Sequence, residues 1–184
     1  MASPALTLRP ATAEDYPDVA ALYRQFARTR HLEQFTFKGW LGQCHLAVED
    51  GQVIGYWHGT HDAQTWLSFT VDSTPPEDWT VSYLTVMVVD QRHRRRGIGG
   101  LLLKDFLDQA RAAGNTWAVL NPTPDAPCQT EAELIAFYAH HGFTLLEHDL
   151  DHGFTRSWMM GRALVEDPQY VLRALPQDQR AGRA

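Results

Sequence analysis

The sequence predicts an α/β fold in which part of the sheet is antiparallel. Strand-like segments alternate with segments whose apolar residues recur at helical spacing, the pattern of α/β proteins. The pair Asp50-Gly51 between two strand-like runs indicates a β-hairpin. Two strand-like runs near the C-terminal end, residues 144–147 and 155–164, indicate a second antiparallel pair. The fold class rests on this alternation and on the two antiparallel pairs.

The N-terminal end predicts a strand and then a helix. Residues 6–9 form a short strand-like run, and Thr12 with Asp15 three residues later is typical of a helix N-terminus. The apolar residues that follow have the spacing of one buried helical face: Val19, Leu22, Tyr23 and Phe26. We therefore expect the first helix to bury this face.

The middle of the chain predicts the hairpin strands and two strands after them. Residues 45–49 and 53–58 lie on either side of the hairpin turn, and residues 65–71 form a further strand-like run. Residues 28–43 show no clear period. The longest run, residues 81–89, ends immediately before a cluster of arginines and glycines.

The second half predicts two more helices. A helix over residues 101–113 ends at Gly114, and a strand over residues 116–120 follows it. Thr130 and Glu133 form a capping box, so the next helix starts there. The first of these helices has an apolar stripe: Leu102, Leu103, Phe106, Leu107 and Ala110.

Length and composition are those of one globular domain with a tail. Of the 184 residues, 44% are hydrophobic and 21% are charged, which is ordinary for a folded domain with a core. Beyond residue 164 the sequence becomes polar and rich in Arg and Gln. We therefore predict a domain over residues 1–164 and a mobile C-terminal tail over residues 165–184.

The sequence favours a cytoplasmic protein. It has no apolar run of membrane-spanning length, and Arg9-Pro10 precedes any signal-peptide core. Cys44 and Cys128, its only cysteines, form no disulfide framework and indicate a reducing compartment. Its histidines, cysteines and acids show no metal-ligand spacing, so we expect no metal.

A loop rich in arginine and glycine is the main candidate binding site. Between the strand at residues 81–89 and the next helix lies Arg94-Arg95-Arg96-Gly97-Ile98-Gly99-Gly100. The first amides of a helix have no intrahelical acceptor, and with the helix dipole they form an anion site. The arginines add positive charge, so the loop predicts a phosphate cradle. The alternative is a solvated basic turn.

Two common phosphate loops do not fit this segment. A P-loop requires Gly-x-x-x-x-Gly-Lys-Ser/Thr, but Leu101 follows Gly100 directly. A dinucleotide-binding loop requires a third glycine where this chain has Leu102, and an acid after the next strand where it has Asn121. The phosphate compound must therefore be of another kind.

The loop fits the pattern Arg/Gln-x-x-Gly-x-Gly/Ala and resembles the acyl-CoA pyrophosphate loop of the GNAT superfamily of N-acetyltransferases. Asn121 follows the fifth strand, as in many members of that superfamily. The superfamily's Phe-Tyr-x-x-x-Gly-Phe ending is similar to residues 137–143, which read Phe-Tyr-Ala-His-His-Gly-Phe. The resemblance covers roughly residues 6–164 and implies the GNAT fold, a central mixed, mostly antiparallel sheet of about seven strands flanked by helices. Gln91 and Arg95 depart from this loop pattern, because proline and glycine are common there.

The resemblance implies transfer of an acetyl group from acetyl-CoA, the co-substrate, to a primary amine by direct attack in a ternary complex. It implies that main-chain groups of Met87 and Val89 hold the pantetheine arm and that Asn121 hydrogen-bonds it. Side chains among residues 92–96 would also reach the adenosine phosphate. The pyrophosphate would lie on the amides of Arg94, Arg95, Arg96, Gly97, Ile98, Gly99 and Gly100. The alternative for Asn121 is a turn-forming role before Pro122.

Tyr138 is the expected general acid. A phenol pKa near 10 is not far above the thiol pKa of about 8.5, so a neutral tyrosine can protonate the departing CoA thiolate. The alternative is a core aromatic, a role that we expect Phe137 to fill instead. A main-chain amide near Val89 would stabilise the oxyanion.

The general base is left open by the sequence. Histone-type members of the superfamily carry a glutamate on the long strand, at the position where this chain has Tyr83. The candidates are His61, Asp62 and a water relay through Tyr83 and Thr85.

The acceptor is expected beside residues 28–43 and 59–80, which flank the cleft in this fold. Aromatic walls with carboxylates suit a cationic amine. In or beside these segments lie Trp40, Trp57, Trp66 and Trp79, with Glu33, Asp62, Asp72, Glu77 and Asp78. The alternative is that the tryptophans are core residues and the acids are solvated. Small amines, aminoglycoside-like compounds, amino acids, protein N-termini and lysines are all candidate acceptors. The sequence leaves open whether acyl groups larger than acetyl are accepted.

Two functions from other classes are the alternatives. A non-catalytic acyl-CoA-binding regulatory module would keep the loop but lose the acid, so Tyr138 counts against it. A nucleic-acid-binding domain could use residues 92–96, but the net charge of −6 lacks the broad basic face that phosphate backbones require. We therefore expect an amine acceptor as partner, with neither nucleic acid nor membrane, and a homodimer as a possible assembly.

Overall fold

A seven-stranded sheet is the centre of the fold in the computed structural model, which describes residues 5–26, 43–63, 80–124, 129–151 and 156–166. The strands are β1 (Leu6–Pro10), β2 (Cys44–Glu49), β3 (Gln52–Thr60), β4 (Val81–Val89), β5 (Trp117–Leu120), β6 (Thr144–Asp151) and β7 (Arg156–Ala163). Their order is β1-β2-β3-β4-β5-β7-β6. The pairs β1–β2, β2–β3, β5–β7 and β6–β7 are antiparallel. The predicted fold class is confirmed.

Three α-helices accompany the sheet within the described ranges: α1 (Tyr16–Phe26), α2 (Ile98–Ala112) and α3 (Glu131–His140). The predicted capping box of α3 is present, because Thr130 Oγ1 accepts the Glu133 amide at 3.2 Å and the Glu133 carboxylate accepts the Thr130 amide at 2.9 Å. Gly114 follows α2 with a φ of 79°, the left-handed conformation that commonly ends helices. Helix α2 begins at Ile98 rather than at residue 101, so Gly99 and Gly100 belong to its first turn.

The chain divides into two compact units. The first comprises Met1–Thr60, Leu84–Asp108 and Asp125–Pro127. Its hairpin turn has left-handed residues at Asp50 (φ 49°) and Gly51 (φ 78°), as a two-residue type I′ turn requires. One core cluster joins α1 to strands of this unit: Val19, Leu22, Cys44, Leu46, Val48, Val53, Tyr56 and Val88.

The second unit comprises His61–Tyr83, Gln109–Pro124 and Cys128–Ala184. Within it, β7 pairs with β5 on one side, where Trp117 lies opposite Ala163, and with β6 on the other, where Thr144 lies opposite Gly161. Its core cluster consists of Ala63, Val81, Tyr83, Trp117, Val119, Leu146 and Met159.

Several predictions from the sequence fall on residues outside the described ranges. The strand predicted over residues 65–71, nearly all of residues 28–43 and the tail from residue 167 onward belong to these. The predicted closing strands are longer or shorter than expected by a few residues, since β6 runs to Asp151 and β7 spans Arg156–Ala163. Within the described ranges, none of the helices combines the length and the apolar composition of a membrane span.

Candidate functional site

The loop between β4 and α2 begins at a buried carboxylate. Asp90 is 3% exposed, and its Oδ1 accepts the Arg92 amide at 2.9 Å, which caps a short 3₁₀ turn over Gln91–His93. The Asp90 amide donates to the Ile54 carbonyl of β3 at 2.8 Å. The start of the loop is therefore anchored to the neighbouring strand. The ion pair with the Arg92 guanidinium lowers the pKa of Asp90 to about 2, so its carboxylate stays ionised at neutral pH.

Two left-handed residues turn the end of this loop into α2. Arg95 has a φ of 60° and Gly97 a φ of 80°. A Cβ at Gly97 would meet no atom within 4 Å, so this glycine is required for its backbone conformation and not for space. Arg95 adopts the conformation that the glycine common at its position in GNAT loops would adopt more readily.

The first amides of α2 lie before its first intrahelical hydrogen bond. The first intrahelical bond runs from the Leu101 amide to the Gly97 carbonyl at 3.1 Å. The amides of Ile98, Gly99 and Gly100 precede that bond, so they have no acceptor within the helix. The helix dipole places partial positive charge at the same end. This is the geometry that the predicted phosphate cradle would require.

Gly55 on β3 contacts β4 and α2, the two elements on either side of the loop, and sequence reasoning missed it. A Cβ at this position would lie 2.9 Å from the Val88 carbonyl oxygen and 3.1 Å from Leu102 Cδ1. Only glycine therefore allows β3 to approach both β4 and α2 here. The available signal was an isolated glycine inside a strand pattern, which indicates a close backbone approach.

The arginines of the loop differ in their partners. Arg92 forms an ion pair with Asp90 through two hydrogen bonds, at 3.1 and 3.0 Å. Arg96 makes another with Glu49 at the end of β2, at 2.9 and 2.6 Å. Arg94 Nε donates to the Val89 carbonyl at 3.3 Å, whereas Arg95 is exposed. Two of the guanidiniums expected beside the cofactor phosphates are thus already engaged by carboxylates.

Met87 and Val89, the residues expected to hold the pantetheine arm, are both half-buried on β4, on either side of the buried Val88. The Val89 carbonyl accepts the Arg94 Nε–H. Both residues belong to the same compact unit as the cradle residues 94–100. Met87, Val89 and residues 94–100 are thus parts of one compact unit.

Asn121 and Tyr138 belong to the second unit. Asn121 is half-buried directly after β5, and its Oδ1 accepts the Thr123 hydroxyl, as in the turn role that was the alternative. Tyr138 is 7% exposed and packs edge-to-face on Phe137 and Phe143, with ring centroids 5.1 and 5.9 Å away. Phe137 is only half-buried, so the structure reverses the expected order of burial for these two neighbours on α3.

The base candidates occupy different environments. Tyr83 is 5% exposed, and burial raises its pKa to about 12, so it is neutral at physiological pH. His61 Nδ1 lies 2.8 Å from Ser82 Oγ. The same hydroxyl oxygen accepts a hydrogen bond from Asn115 Nδ2 at 2.7 Å. Asp62 is exposed, and Thr85 is half-buried on β4.

Trp57 is a core residue, as the alternative for the tryptophans predicted. It is 1% exposed, and its Nε1 donates to Asp105 of α2 at 2.7 Å. His45 Nδ1 lies 2.8 Å from the same carboxylate oxygen and stacks on the Trp57 ring at 4.7 Å. Outside the described ranges lie Trp40, Trp66, Trp79, Glu33, Asp72, Glu77 and Asp78. In the part of the chain that is described, His, Cys, Asp and Glu side chains form no group of three or more suited to a metal ion.

Comparison with known proteins identifies the family. The family model for the acetyltransferase (GNAT) domain matches residues 40–145, more than half of the chain. A comparison with curated protein sequences finds no significant match.

Solved structures show the same fold. The GNAT family N-acetyltransferase YhbS from Escherichia coli, solved with CoA, superposes with a TM-score of 0.64 at 21% identity over 95% of this chain and 89% of its own. Ard1 from Thermoplasma volcanium gives 0.61 at 21% identity over 88% and 99%. N-acetylglutamate synthase from Neisseria gonorrhoeae, solved with coenzyme A and N-acetyl-glutamate, gives 0.62 at 16% identity over 89% of this chain but only 36% of the longer neighbour. The sequence match and the fold together place this chain in the GNAT family of acetyltransferases.

Proposed function

We propose that the protein is an acyl-CoA-dependent N-acetyltransferase that moves an acetyl group from acetyl-CoA to a primary amine by direct attack in a ternary complex. The observation that carries this proposal is the cradle, in which left-handed Gly97 leads into the open amides of Ile98, Gly99 and Gly100. Those donors fit a pyrophosphate, because each can hydrogen-bond an anionic oxygen while the helix dipole favours its charge. Acetyl-CoA supplies the activated thioester.

The cofactor is held mainly by main-chain groups in this proposal. The amides of residues 94–100 take the pyrophosphate, main-chain groups of Met87 and Val89 take the pantetheine arm, and Asn121 hydrogen-bonds that arm. Because Arg92 and Arg96 are paired with carboxylates, Arg94 and Arg95 are the arginines that we assign to the adenosine phosphate.

Tyr138 provides the proton for the leaving thiolate. Its burial on α3 between aromatic rings holds the side chain in one orientation, which favours a positioned acid over a solvated phenol. The acceptor proton has to leave by another route. Since burial keeps Tyr83 neutral, we assign that route to His61, to Asp62 or to water held by Tyr83 and Thr85.

The acceptor class is a primary amine, and neighbours of the same fold indicate what to test. The synthase neighbour was solved with an acetylated amino acid, another neighbour, the NatC complex, with a peptide, and a third is a ribosomal-protein-S18-alanine N-acetyltransferase. A screen should therefore contain amino acids, peptides with free N-termini, small polyamines and aminoglycosides. A homodimer and a cytoplasmic location stay predictions from the sequence.

The experiment that tests this function measures thiol release. Purified protein is incubated with acetyl-CoA and each amine, and free CoA is followed with a thiol reagent, with mass spectrometry of the acceptor. We expect one amine class to accelerate thiol release and to gain one acetyl group. CoA binding in calorimetry without turnover of any amine would favour the non-catalytic acyl-CoA-binding module instead.

Nucleic-acid binding is the weaker alternative on structural grounds. Asp90 and Glu49 already neutralise Arg92 and Arg96, so residues 92–96 present less free positive charge than their sequence indicates. A salt titration of DNA binding separates the two cases. Tight binding that weakens steeply with salt, in the absence of CoA binding, would support the nucleic-acid function.

A further inference from the structure

Near each end of the cradle loop, an arginine forms an ion pair with a carboxylate through two hydrogen bonds. We call these two ion pairs clamps. The first clamp is local, since Arg92 binds Asp90 two residues earlier. The second is not, because Arg96 reaches Glu49, which is 47 residues away in sequence. Glu49 is the last residue of β2 and directly precedes the hairpin turn. The second clamp therefore ties the cradle to the β2–β3 hairpin.

Arg96 lies between the two left-handed residues of the loop. Its neighbours Arg95 and Gly97 are both left-handed, with φ of 60° and 80°. The open amides of α2 follow immediately after Gly97. A guanidinium held in a planar fork has little rotational freedom, so fixing Arg96 also restricts the backbone on both sides. The Glu49 side chain is 10% exposed and the Arg96 side chain 44% exposed, so the carboxylate is the less mobile partner of this pair.

His93 lies between the two clamps. Its Nε2 is 3.8 Å from Glu49 Oε2, and its Nδ1 is 3.7 Å from Asp90 Oδ1. His93 thus lies near both carboxylates that hold the arginines. The guanidiniums of Arg92 and Arg96 face these carboxylates, whereas the cradle is made of main-chain amides.

We propose that Glu49 is a positioning residue for cofactor binding: it holds Arg96 and thereby keeps the cradle in its binding conformation before the cofactor arrives. This inference rests on the proposed acyl-CoA function of the loop. In this role the Arg96 side chain holds the loop in position and does not bind the phosphate. Preorganised loops bind more tightly because less ordering is needed on binding.

The sign of the effect of Glu49→Gln distinguishes this role from simple electrostatics. A carboxylate beside an anion site repels a phosphate, so removing its charge should tighten CoA binding if charge alone mattered. A positioning role predicts the opposite, because Gln cannot hold the guanidinium with two acceptor oxygens. We expect the Kd for CoA to rise about five- to tenfold.

Two further variants complete the experiment. Asp50→Asn removes the same charge from the neighbouring exposed residue, which tolerates asparagine at its left-handed φ, so it reports the electrostatic effect alone. Arg96→Lys keeps the positive charge but loses the fork, so we expect it to weaken CoA binding like Glu49→Gln. The double variant should be no weaker than the worse single one, because both changes remove one interaction.

Calorimetric titration with CoA, thermal unfolding and steady-state kinetics provide the readouts. We expect Glu49→Gln to raise the Kd for CoA and the KM for acetyl-CoA, while kcat and the KM for the amine change by less than about twofold. If wild-type protein binds CoA and Glu49→Gln binds it equally or more tightly, the positioning role is overturned and the proposed function stands. If folded wild-type protein does not bind CoA, the proposed function fails and the inference fails with it.

Discussion

Ion pairs with carboxylates distinguish the arginines of the loop from one another. The sequence shows five consecutive residues with basic side chains, at 92–96, and gives no reason to treat them differently. The structure pairs Arg92 with Asp90 and Arg96 with Glu49, and leaves Arg95 exposed. The Asp90–Arg92 pair is a local contact between residues two positions apart, which a turn-forming Asp makes predictable. The Glu49 pairing depends on the packing of a distant hairpin, which no local pattern contains.

Tyr138 gives a prediction at the scale of one residue. We expect Tyr138→Phe to lower kcat by about a hundredfold or more, the range for loss of a general acid, because phenylalanine cannot supply the proton. The Kd for CoA and the melting temperature should change little, since the ring and its packing on Phe137 and Phe143 are kept. Steady-state kinetics with calorimetry on the same preparation provides the measurement.

The matched control for this variant is Tyr16→Phe, at the start of α1 in the first unit. It removes the same hydroxyl group from a half-buried tyrosine with no assigned role, so kcat should be unaffected. An unchanged kcat in Tyr138→Phe would assign this tyrosine to the core alone and remove it from the mechanism.

The elements of the fold were predictable where local chemistry determines them. The hairpin turn at Asp50-Gly51, the capping box of Thr130 and Glu133, and the C-terminal glycine after α2 all lie where the sequence placed them. Each depends on the conformational preference or hydrogen-bonding capacity of one or two neighbouring residues. The start of α2 was misplaced because glycines usually weaken a helix, whereas here Gly99 and Gly100 occupy its first turn.

Gly55 gives a prediction at the scale of packed elements. A methyl group at this position would lie 2.9 Å from the Val88 carbonyl, so Gly55→Ala must push β3 away from β4. We expect a loss of roughly 1–3 kcal/mol in the free energy of unfolding, the usual cost of overpacking. CoA affinity should fall as well, because Asp90 at the start of the cradle is anchored to Ile54 on the same strand.

Gly161→Ala on β7 is the control for Gly55→Ala. Its Cβ would meet Leu146 Cδ1 at 2.8 Å, which is the end of a side chain, whereas the Cβ at Gly55 would meet a main-chain oxygen. We expect a smaller loss of stability, measured by urea unfolding, and no change in CoA affinity. Equal losses in both variants, with CoA affinity retained, would show that Gly55 has no special relation to the cradle.

The molecule as a whole carries a net charge of −6, and the proposed anion site depends on a local arrangement instead of a basic surface. The sequence predicted this site because the loop motif, the helix and the preceding strand are consecutive in the chain. Gly55 left only the signal of an isolated glycine in a strand. The pairing of Glu49 with Arg96 left no signal, because the two residues lie 47 positions apart. Family membership supports an acetyl-transfer chemistry, but the acceptor is expected beside residues 28–43 and 59–80, which carry no motif that identifies it.

The most direct test of the cradle compares two glycines with the same backbone conformation. Gly97 and Gly114 have φ of 80° and 79°, and neither has an atom within 4 Å of an added Cβ. Gly97→Asp and Gly114→Asp therefore impose similar strain and the same added charge, at the N-terminal and C-terminal ends of α2 respectively. The measurement is calorimetric titration of wild type and both variants with CoA. We expect micromolar binding by wild type and Gly114→Asp and no detectable binding by Gly97→Asp; equal binding by all three proteins would contradict the cradle.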